Sequence, residues 1–484
     1  MAVGAIMAGC RPATSLHSGA VVRARRASMA WGPRVRRIVA IEHAGLCPFA
    51  EGPAGGTPTA PAGAAVGTSV EVNGVDVVVD RVAGLDIGKD SVTVCVRVPG
   101  TGARRVSETR TYSTMTRQIQ RMAEWLDECG VELAAMESTA TYWKPVFYCL
   151  EEHTETWLLN AAHIKAVPGR KSDVRDSEWI ARLVEHGLVS PSFVPPPEIR
   201  RLRNLTRYRL QLTGDRTREA TRVEKLLEDA SIKLSAVVSN IAGVSARDML
   251  DALVAGERDP AVLADLAQKR LRVKIPALTE SLTGHFDDHH ALLIGGMLER
   301  LRQAEASLAQ ADAQILAEIA PWQHEYELLQ TMPGIGPKTA QIFIAETGAD
   351  MSRFPSAAHL AAWVGVAPSV HESAGRSWSM GSRKGNKWLC SAMVEAAGSA
   401  SRMKTNYLGA QFRHLAPRRG IKRAIMAVAH SMVVSAYYML ERDEPYRDLG
   451  SDYFTRPVDP QVQTRRLVAQ LERLGHSVSL QPAS

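Results

Sequence analysis

The chain has 484 residues, a hydrophobic fraction of 45% and a formal net charge of +7 at pH 7. This length predicts two to four domains, and this composition is ordinary for globular proteins. The six cysteines lack the paired spacing of metal ligands, and there is no run of 18 apolar residues. These features exclude a disulfide-stapled secreted domain and argue against a membrane span, so we expect a cytoplasmic protein.

The excess positive charge is unevenly distributed. Residues 1–75 contain seven arginines and three glutamates, so they carry +4 of the net charge and leave about +3 for the rest of the chain. The net charge of the whole chain is therefore weak evidence for nucleic-acid binding. Evidence for such binding has to come from local clusters of Lys and Arg. This segment is rich in Ala, Gly, Pro and Arg without a sustained period, which predicts a disordered tail or a start codon assigned too far upstream.

Residues 76–192 show the pattern of a mixed α/β domain. Two β-branched runs within residues 77–98 flank a Gly-Lys-Asp turn and predict a hairpin. A helix is expected within residues 111–130, where Ser113 or Thr114 could cap its start and Gly130 ends it. A strand, a helix, a strand and a helix then follow, in residues 131–137, 141–153, 155–160 and 172–187.

The remaining chain is predicted to be mainly helical. A proline-rich break at residues 191–198 precedes a helical or coiled-coil linker over residues 193–325. Its clearest apolar seam has steps of three and four, at Ile294, Met297, Leu301, Ala304, Leu308, Ala311 and Ile315. This seam fits two alternatives equally well: an antiparallel pairing with residues 200–235, or a dimerising coiled coil. Residues 326–448 show short helices with glycine-rich loops, and residues 449–484 form a C-terminal tail.

Four acidic residues lie at predicted strand ends or at a predicted helix start, where they could form a site that cleaves phosphodiesters. Asp86 and Glu137 end predicted buried strands, and Asp173 and Asp176 face one side of a helix start. Carboxylates are the ligands that Mg²⁺ or Mn²⁺ prefers, and such ions can clamp the oxygens of a phosphodiester. The alternatives are a turn acid for Asp86, a helix cap for Glu137 and a helix-dipole acid for Asp173.

As an ordered set in an α/β domain, these acids indicate a ribonuclease-H-like nuclease. Sugar kinases also open with a strand, an acid and a glycine turn. That reading predicts a second Asp-Gly strand turn halfway along the chain, and the sequence has none.

Three stretches of the second half suggest contacts with nucleic acid. Residues 331–348 have the form of a helix–hairpin–helix turn, whose glycines would let backbone N–H groups approach a phosphate beside Lys338. Residues 365–389 form a serine-rich, glycine-rich, basic stretch with too few apolar residues for a core element. The candidate phosphate-binding residues here and at a later helix start are Arg376, Arg383, Lys384, Asn386, Lys387, Arg418, Arg419, Lys422 and Arg423.

The serine-rich stretch also offers a nucleophile. Ser373 precedes Ala374-Gly375, whose small side chains leave its hydroxyl room, and nearby cations would lower the cost of forming an alkoxide. Composition does not choose among the five serines at positions 369, 373, 377, 379 and 382. The alternative interpretation is a solvated, flexible basic loop.

From about Val77 to its C-terminus, the chain resembles the DEDD transposases of bacterial insertion sequences, insertion-sequence family 110. Six motifs in the same order carry the resemblance: Ala83–Lys89, Met136–Trp143, Lys171–Asp176, Pro333–Ala340, Gly365–Leu389 and Arg418–Ala424. The resemblance implies a RuvC-like domain in which Asp86, Glu137, Asp173 and Asp176 bind metal. It also implies that Ser373, in a separate transposase domain, attacks DNA and forms a phosphoserine.

The resemblance further implies element-end and target DNA as partners and a noncoding guide RNA that pairs with both DNAs. It implies a homodimer or homotetramer in the nucleoid, with residues 200–320 as the subunit contact and a catalytic site shared between protomers. The expected fold is therefore α/β plus all-α: a ribonuclease-H-like domain, a helical linker and a mainly helical C-terminal domain. The principal alternative is a metal-dependent, structure-specific nuclease that does not need Ser373. A binding protein without catalysis is disfavoured because all five catalytic positions are filled.

Overall fold

The computed structural model describes residues 77–101, 104–138, 140–161, 164, 176–373, 376–382, 385–454 and 460–480. They form two compact units, which divide between Ser192 and Phe193.

The first unit is built on a five-stranded mixed sheet with strand order β3-β2-β1-β4-β5. Strand β2 is antiparallel to both β1 and β3, whereas β4 is parallel to β1 and β5 is parallel to β4. This order is that of a ribonuclease-H-like sheet and confirms the predicted fold class. The strands are Val82–Ile87, Ser91–Pro99, Arg105–Ser113, Leu133–Glu137 and Glu155–Leu159.

Three described helices complete this unit. Helix α1 packs beside β3, α2 contacts β4 and β5, and α3 lies against β1, β2 and β4. Gly130, with a φ of +65°, follows α1 and ends it as predicted. The helices are Thr116–Glu128, Trp143–Leu150 and Asp176–Glu185.

Strand β3 was not predicted from the sequence. The expected helix over residues 111–130 begins at Thr116, because Thr111, Tyr112 and Ser113 belong to β3. The strand escaped prediction because it lies at the sheet edge, where its polar residues stay half exposed and no apolar alternation develops. The residue before α1 is Met115, and no side chain caps that helix.

In the part of the second unit that the structure describes, one hairpin stands among helices. Four short helices lie between two long ones, and further short and medium helices follow. In chain order, helices α4 to α9 are Pro197–Asp229, Leu234–Val237, Val244–Val254, Pro260–Asp265, Ile275–Ser281 and Asp288–Glu318. Helices α10 to α16 are Gln323–Gln330, Pro337–Thr347, Ala357–Val364, Lys387–Arg402, Tyr407–Arg419, Ile421–Arg442 and Pro460–Arg473.

Helices α4 and α9 form an antiparallel pair within the chain. Arg209 bonds to Asp312 and Arg216 to Glu305, so positions rise along one helix as they fall along the other. Most residues of the predicted seam are buried, although Leu298, and not Met297, fills one position. The structure thus bears out the intramolecular alternative for this seam.

The core of the second unit gathers buried side chains from α4 and from α9 through α15. Helix α15 is the one described helix that is long and apolar enough to cross a membrane by length and composition. We interpret it as a core helix, because Val428, Met432 and Val433 are fully buried in this cluster.

Residues predicted to be a loop or short helices form a β-hairpin instead. Strands β6, Pro368–Ser373, and β7, Arg376–Ser382, pair in an antiparallel sheet of their own. The expectation of a loop was therefore wrong for the backbone of these residues. A two-stranded ribbon needs no buried face to close its backbone hydrogen bonds, so its low apolar content was not evidence against strands.

Candidate functional site

Asp86 and Glu137 end neighbouring parallel strands. The pairing of β1 with β4 runs from Val82 opposite Leu133 to Leu85 opposite Met136, so its next step brings Asp86 level with Glu137. Asp86 is exposed although the rest of β1 is buried, and Glu137 is half-buried. In open α/β sheets, ligands bind at such carboxyl ends of strands.

Both acids share the sheet face that helix α3 covers. Side chains alternate along a strand, so Asp86 shares its face with Val82, and Glu137 shares its face with Ala135. Val82 and Ala135 pack with the α3 residues Ile180 and Leu183 in one buried cluster. The same helix begins at Asp176, which is half-buried. Three of the four predicted acids therefore belong to one face and one helix start.

Gly84 brings α3 to this face. A Cβ atom at Gly84 would collide with the backbone oxygen of Ser177 and the backbone nitrogen of Ala181. Only a glycine lets the first turns of α3 come so close to β1, two residues before Asp86. Gly84 therefore sets the distance between α3 and β1. This role was not predicted from the sequence.

A buried ion pair fixes the other end of α3. Glu185 is fully buried, and its Oε2 accepts a hydrogen bond of 2.8 Å from Nε of Arg97 in β2. Arg105 of β3 forms a second ion pair with the same carboxylate at 2.5 Å. Through these three residues, α3 is bonded to both β2 and β3. Arg97 and Glu185 are 88 positions apart in the sequence. No local sequence pattern signals contacts of this range.

The donor chemistry of these acids fits a hard divalent cation, because carboxylate oxygens are the ligands that Mg²⁺ and Mn²⁺ prefer. Asp173, the fourth predicted ligand, lies outside the described residues. Among the described residues, no three His, Cys, Asp or Glu side chains are gathered closely enough to hold a metal ion. The set of four metal ligands thus stays a prediction. The fold places three of its carboxylates, those of Asp86, Glu137 and Asp176, in one region of the first unit.

The alternative role of Glu137 as a helix cap finds no support in the structure. The residue before α2 is Tyr142, no side chain caps that helix, and Glu137 lies in β4 several residues earlier. The turn after Asp86 is closed by the backbone, where N–H of Gly88 donates to the oxygen of Ser91 at 2.9 Å. Glu137 therefore does not cap α2, and the backbone bond of Gly88 does not bear on a turn role for Asp86.

Ser373 lies at the tip of the β6–β7 hairpin. It pairs with Arg376 as the last step of the ladder, so only positions 374 and 375 connect the strands. Ser377 and Ser379 pair with Glu372 and Val370 further from the tip. The backbone alone thus distinguishes Ser373 from these serines by its place next to the turn. Arg383 and Lys384 lie outside the described residues, and the side chains of β6 and β7 are not described.

The base of the hairpin is closed by tight backbone contact. A Cβ atom at Gly385 would collide with the backbone of Val364 and Gly365, and N–H of Asn386 donates to the oxygen of Trp363 at 2.9 Å. Oδ1 of Asn386 then caps α13 by accepting from two backbone N–H groups, at 3.1 Å each. Its amide group is therefore engaged within the protein, whereas Lys387 beside it is exposed.

The turn before α11 uses its two glycines differently. Gly334 has a φ of +92°, and a Cβ atom there would collide with Ala396 and Ala400 of α13, so this glycine serves helix packing. Gly336 has open space around it, and Lys338 in the first turn of α11 is exposed. Gly336 therefore has open space beside it for the predicted phosphate, whereas Gly334 is required for packing against α13.

A second exposed basic segment joins α14 to α15. Gly420, with a φ of +80°, turns the chain between them. The four cations predicted for this segment are all exposed, two in the last turn of α14 and two in the first turn of α15: Arg418, Arg419, Lys422 and Arg423.

Comparison with known proteins agrees with the fold and with the motif order. Residues 83–232 match a family described as a transposase of the DEDD type from insertion sequence IS110. Residues 326–413 match the transposase family IS116/IS110/IS902.

Curated relatives carry names of the same kind. The chain is 22% identical over 378 residues to the "Transposase for insertion sequence element IS1111A" of Coxiella burnetii, covering 76% of this chain and 91% of the relative. It is 41% identical over 78 residues to the "Pilin gene-inverting protein" of Moraxella bovis, covering 16% of this chain and 24% of the relative. It is 32% identical over 129 residues to an uncharacterised IS110 protein of Streptomyces coelicolor, covering 26% of each chain.

A ribonuclease-H-like unit with strand-end acids, followed by a helical unit that matches a second transposase family, defines the protein as a DNA transposase. It belongs to the insertion-sequence family 110 (IS110) of transposases.

Proposed function

We propose that this transposase cuts and rejoins DNA strands through a covalent bond to Ser373, with carboxylates of the first unit as ligands of a divalent cation. The observation that carries the proposal is the place of Ser373 next to a two-residue turn at the tip of a hairpin. A hydroxyl at a hairpin tip can reach a phosphate that lies in a broad groove or on a flat duplex, which a serine on a buried helix cannot.

The strand transfer conserves bonds. Oγ of Ser373 forms a bond to phosphorus while the bond from phosphorus to one deoxyribose oxygen breaks, and the proton of the hydroxyl passes to that leaving oxygen. A hydroxyl from a second strand end then attacks the phosphoserine, restores a phosphodiester and returns the proton to Ser373. No water is consumed, so the enzyme rejoins what it cuts.

The proposed metal ligands are Asp86, Glu137, Asp173 and Asp176, and the proposed ion is Mg²⁺ or Mn²⁺. Such an ion, when bound, supplies positive charge that polarises the phosphate and stabilises the leaving oxygen. The shared face of Asp86 and Glu137 beside the start of α3 supports this assignment. Without a cation, neighbouring carboxylates would repel a phosphate, so the acids make little sense as direct DNA contacts.

The nucleic-acid contacts are proposed to be mainly with phosphates. Lys338, Lys387 and the four cations between α14 and α15 are exposed and lie at or next to helix ends, where backbone dipoles also favour an anion at a helix start. We propose that the choice of DNA sequence is made by pairing with a noncoding RNA from the element, as membership of this family suggests. Self-association into a dimer or tetramer is proposed on the same ground.

The test combines purified protein, Mg²⁺, RNA from the element's flank and labelled junction DNA on a denaturing gel. The proposal expects a protein–DNA adduct that is lost in Ser373→Ala and in Asp86→Ala, and that requires the RNA. Ser377→Ala is the matched control, since Ser377 lies on the same hairpin in the second pair from the tip, and it should keep the adduct. DNA that is nicked without an adduct, equally in Ser373→Ala, would instead establish a hydrolytic, metal-dependent nuclease.

A further inference from the structure

Glu346 is a buried acid near the end of residues 331–348, and neither the metal site nor the DNA contacts use it. It lies near the end of α11 and has no exposed surface, within a helix whose neighbouring residues from Ala340 to Ala345 are buried as well. A carboxylate in such surroundings persists only when it is paired and hydrogen-bonded. Its partners therefore indicate what it holds together.

Three side chains from two parts of the chain converge on this carboxylate. Arg207 of α4 donates from Nε to Oε1 and from Nη2 to Oε2, both at 2.8 Å. Arg203, one turn earlier on α4, lies 3.4 Å from Oε2 and also donates from Nη2 to the backbone oxygen of Glu346 at 2.7 Å. Nδ2 of Asn386 donates to Oε2 at 2.7 Å.

The contact with Asn386 reaches the hairpin that carries Ser373. Asn386 follows Gly385, the residue that packs on the backbone of Gly365 at the hairpin base. Its Oδ1 caps α13, and its own N–H holds the oxygen of Trp363 at the end of α12. Asn386 thus holds the chain shortly after β7 against the end of α12, and Glu346 holds the amide of Asn386.

The arginines connect the same carboxylate to the long helix α4. A bidentate pair between a guanidinium and a carboxylate sets both position and angle, because two parallel hydrogen bonds restrict rotation. Arg207 also lies over the ring of Trp388, the second residue of α13, at 5.5 Å. The start of α13 is therefore held from α4 directly and through Glu346.

We infer that Glu346 is a positioning residue for strand transfer, which holds the base of the Ser373 hairpin in register with helix α4. It touches neither DNA nor the reacting atoms in this role, and it acts through Asn386. The inference rests on the proposed function of Ser373 for its kinetic consequence. The structural part of the inference is that Glu346 orders the hairpin. This part can be tested without DNA.

The principal variant is Glu346→Gln, which keeps the shape of the side chain and removes the charge. The matched control is Glu305→Gln: Glu305 accepts from Arg216 of α4 and Arg247 of α6 at 2.8 to 2.9 Å but does not contact the hairpin base. A second variant, Asn386→Ser, retains a side chain that caps helices well and removes the amide that bonds to Glu346. It covers the case in which Glu346→Gln fails to fold.

Two readouts distinguish positioning from general destabilisation. The first readout has two parts, which are compared for each variant. They are the rate constant of adduct formation at saturating DNA and the DNA concentration that gives half the maximal rate. A misplacement of about 1 Å can lower a rate about a hundredfold, so we expect both variants to lower the rate constant about 10- to 100-fold. For Glu346→Gln, which changes none of the predicted DNA-binding residues, the half-saturating concentration should change little. Glu305→Gln should leave the rate constant close to that of the unchanged protein.

The second readout is hydrogen exchange of the full-length protein without DNA. Peptides spanning residues 365–390 should exchange at least about tenfold faster in Glu346→Gln and Asn386→Ser, while peptides from α9 do not change. Unchanged exchange over residues 365–390 in both variants would overturn the inference, as would an unchanged rate constant in a protein whose adduct depends on Ser373. If the unchanged protein forms no adduct at Ser373, the proposed function fails, and the exchange result alone decides the positioning role.

Discussion

Arg207 and Glu346 form a two-bond ion pair across 139 residues of sequence, with both nitrogen–oxygen distances at 2.8 Å. The pair joins the first long helix of the second unit to the helix after the predicted DNA-contacting turn. Removing one partner of a buried ion pair leaves the other charge without compensation, which costs about 3–5 kcal/mol. The contact is therefore part of the stability of the second unit as well as of its geometry.

The first prediction concerns the close approach of α3 to β1. Gly84→Ala should lower the free energy of unfolding by about 1–3 kcal/mol, because the added methyl group collides with the backbone of Ser177 and Ala181. Thermal or denaturant unfolding monitored by circular dichroism measures the loss. Gly88→Ala is the control, since its Cβ would come no closer than 3.3 Å to a neighbouring atom. An equal loss in both variants would contradict this account of Gly84.

The second prediction concerns the ion cluster that holds the far end of α3. Glu185→Gln should cost about 3–5 kcal/mol of unfolding free energy, because Arg97 and Arg105 lose a fully buried counter-charge. Asp127→Asn removes the half-exposed pair with His153 and should cost no more than about 1 kcal/mol. Denaturant titration of both variants checks the difference, and similar losses would show that burial does not control the strength of these pairs.

These residues also show what sequence could predict. Strands β1, β4 and β5 and the acids at two of their ends follow from local patterns of apolar residues, and the structure confirms these strands. Arg97, Glu185, Arg207 and Glu346 could not be paired in advance, because their contacts join segments 88 and 139 residues apart. One signal was present: Glu346 is an acid inside a run of apolar residues, "AQIFIAET", which calls for a buried partner. The β6–β7 hairpin was missed because its strands carry few apolar residues.

The third prediction is a dependence of stability on pH. Burial lowers the pKa of His430 in α15 below its ordinary value of 6.5. The unfolded chain therefore binds a proton on this histidine at pH values where the folded protein does not, so stability is lost as the pH falls below about 6.5. The difference in unfolding free energy between the unchanged protein and His430→Gln should be constant above pH 7.5, about one unit above the ordinary pKa, and fall below pH 6.5. A difference that stays flat down to pH 5.5, about one unit lower, would contradict the assignment.

The fourth prediction concerns the exposed cations between α14 and α15. Replacing Arg418, Arg419, Lys422 and Arg423 with glutamine should weaken DNA binding and flatten its salt dependence. The slope of log affinity against log salt should become shallower by about 0.9 for each phosphate that is no longer neutralised. Lys225→Gln, an exposed cation on α4 that is not among the predicted DNA-binding residues, is the control. Binding curves at several salt concentrations measure the slope. An unchanged slope in the fourfold variant would exclude this segment from the DNA interface.

The central claim is that Ser373 itself becomes bonded to DNA. The most direct measurement is mass spectrometry of the adduct after digestion with nuclease and trypsin. Trypsin cuts after Arg353 and Arg376, so Ser373 lies in a peptide that also contains Ser356 and Ser369, whereas Ser377, Ser379 and Ser382 fall in the next peptide. Fragment ions then distinguish the three serines within the first peptide. The account predicts a nucleotide on Ser373, and a nucleotide on any other residue would contradict it.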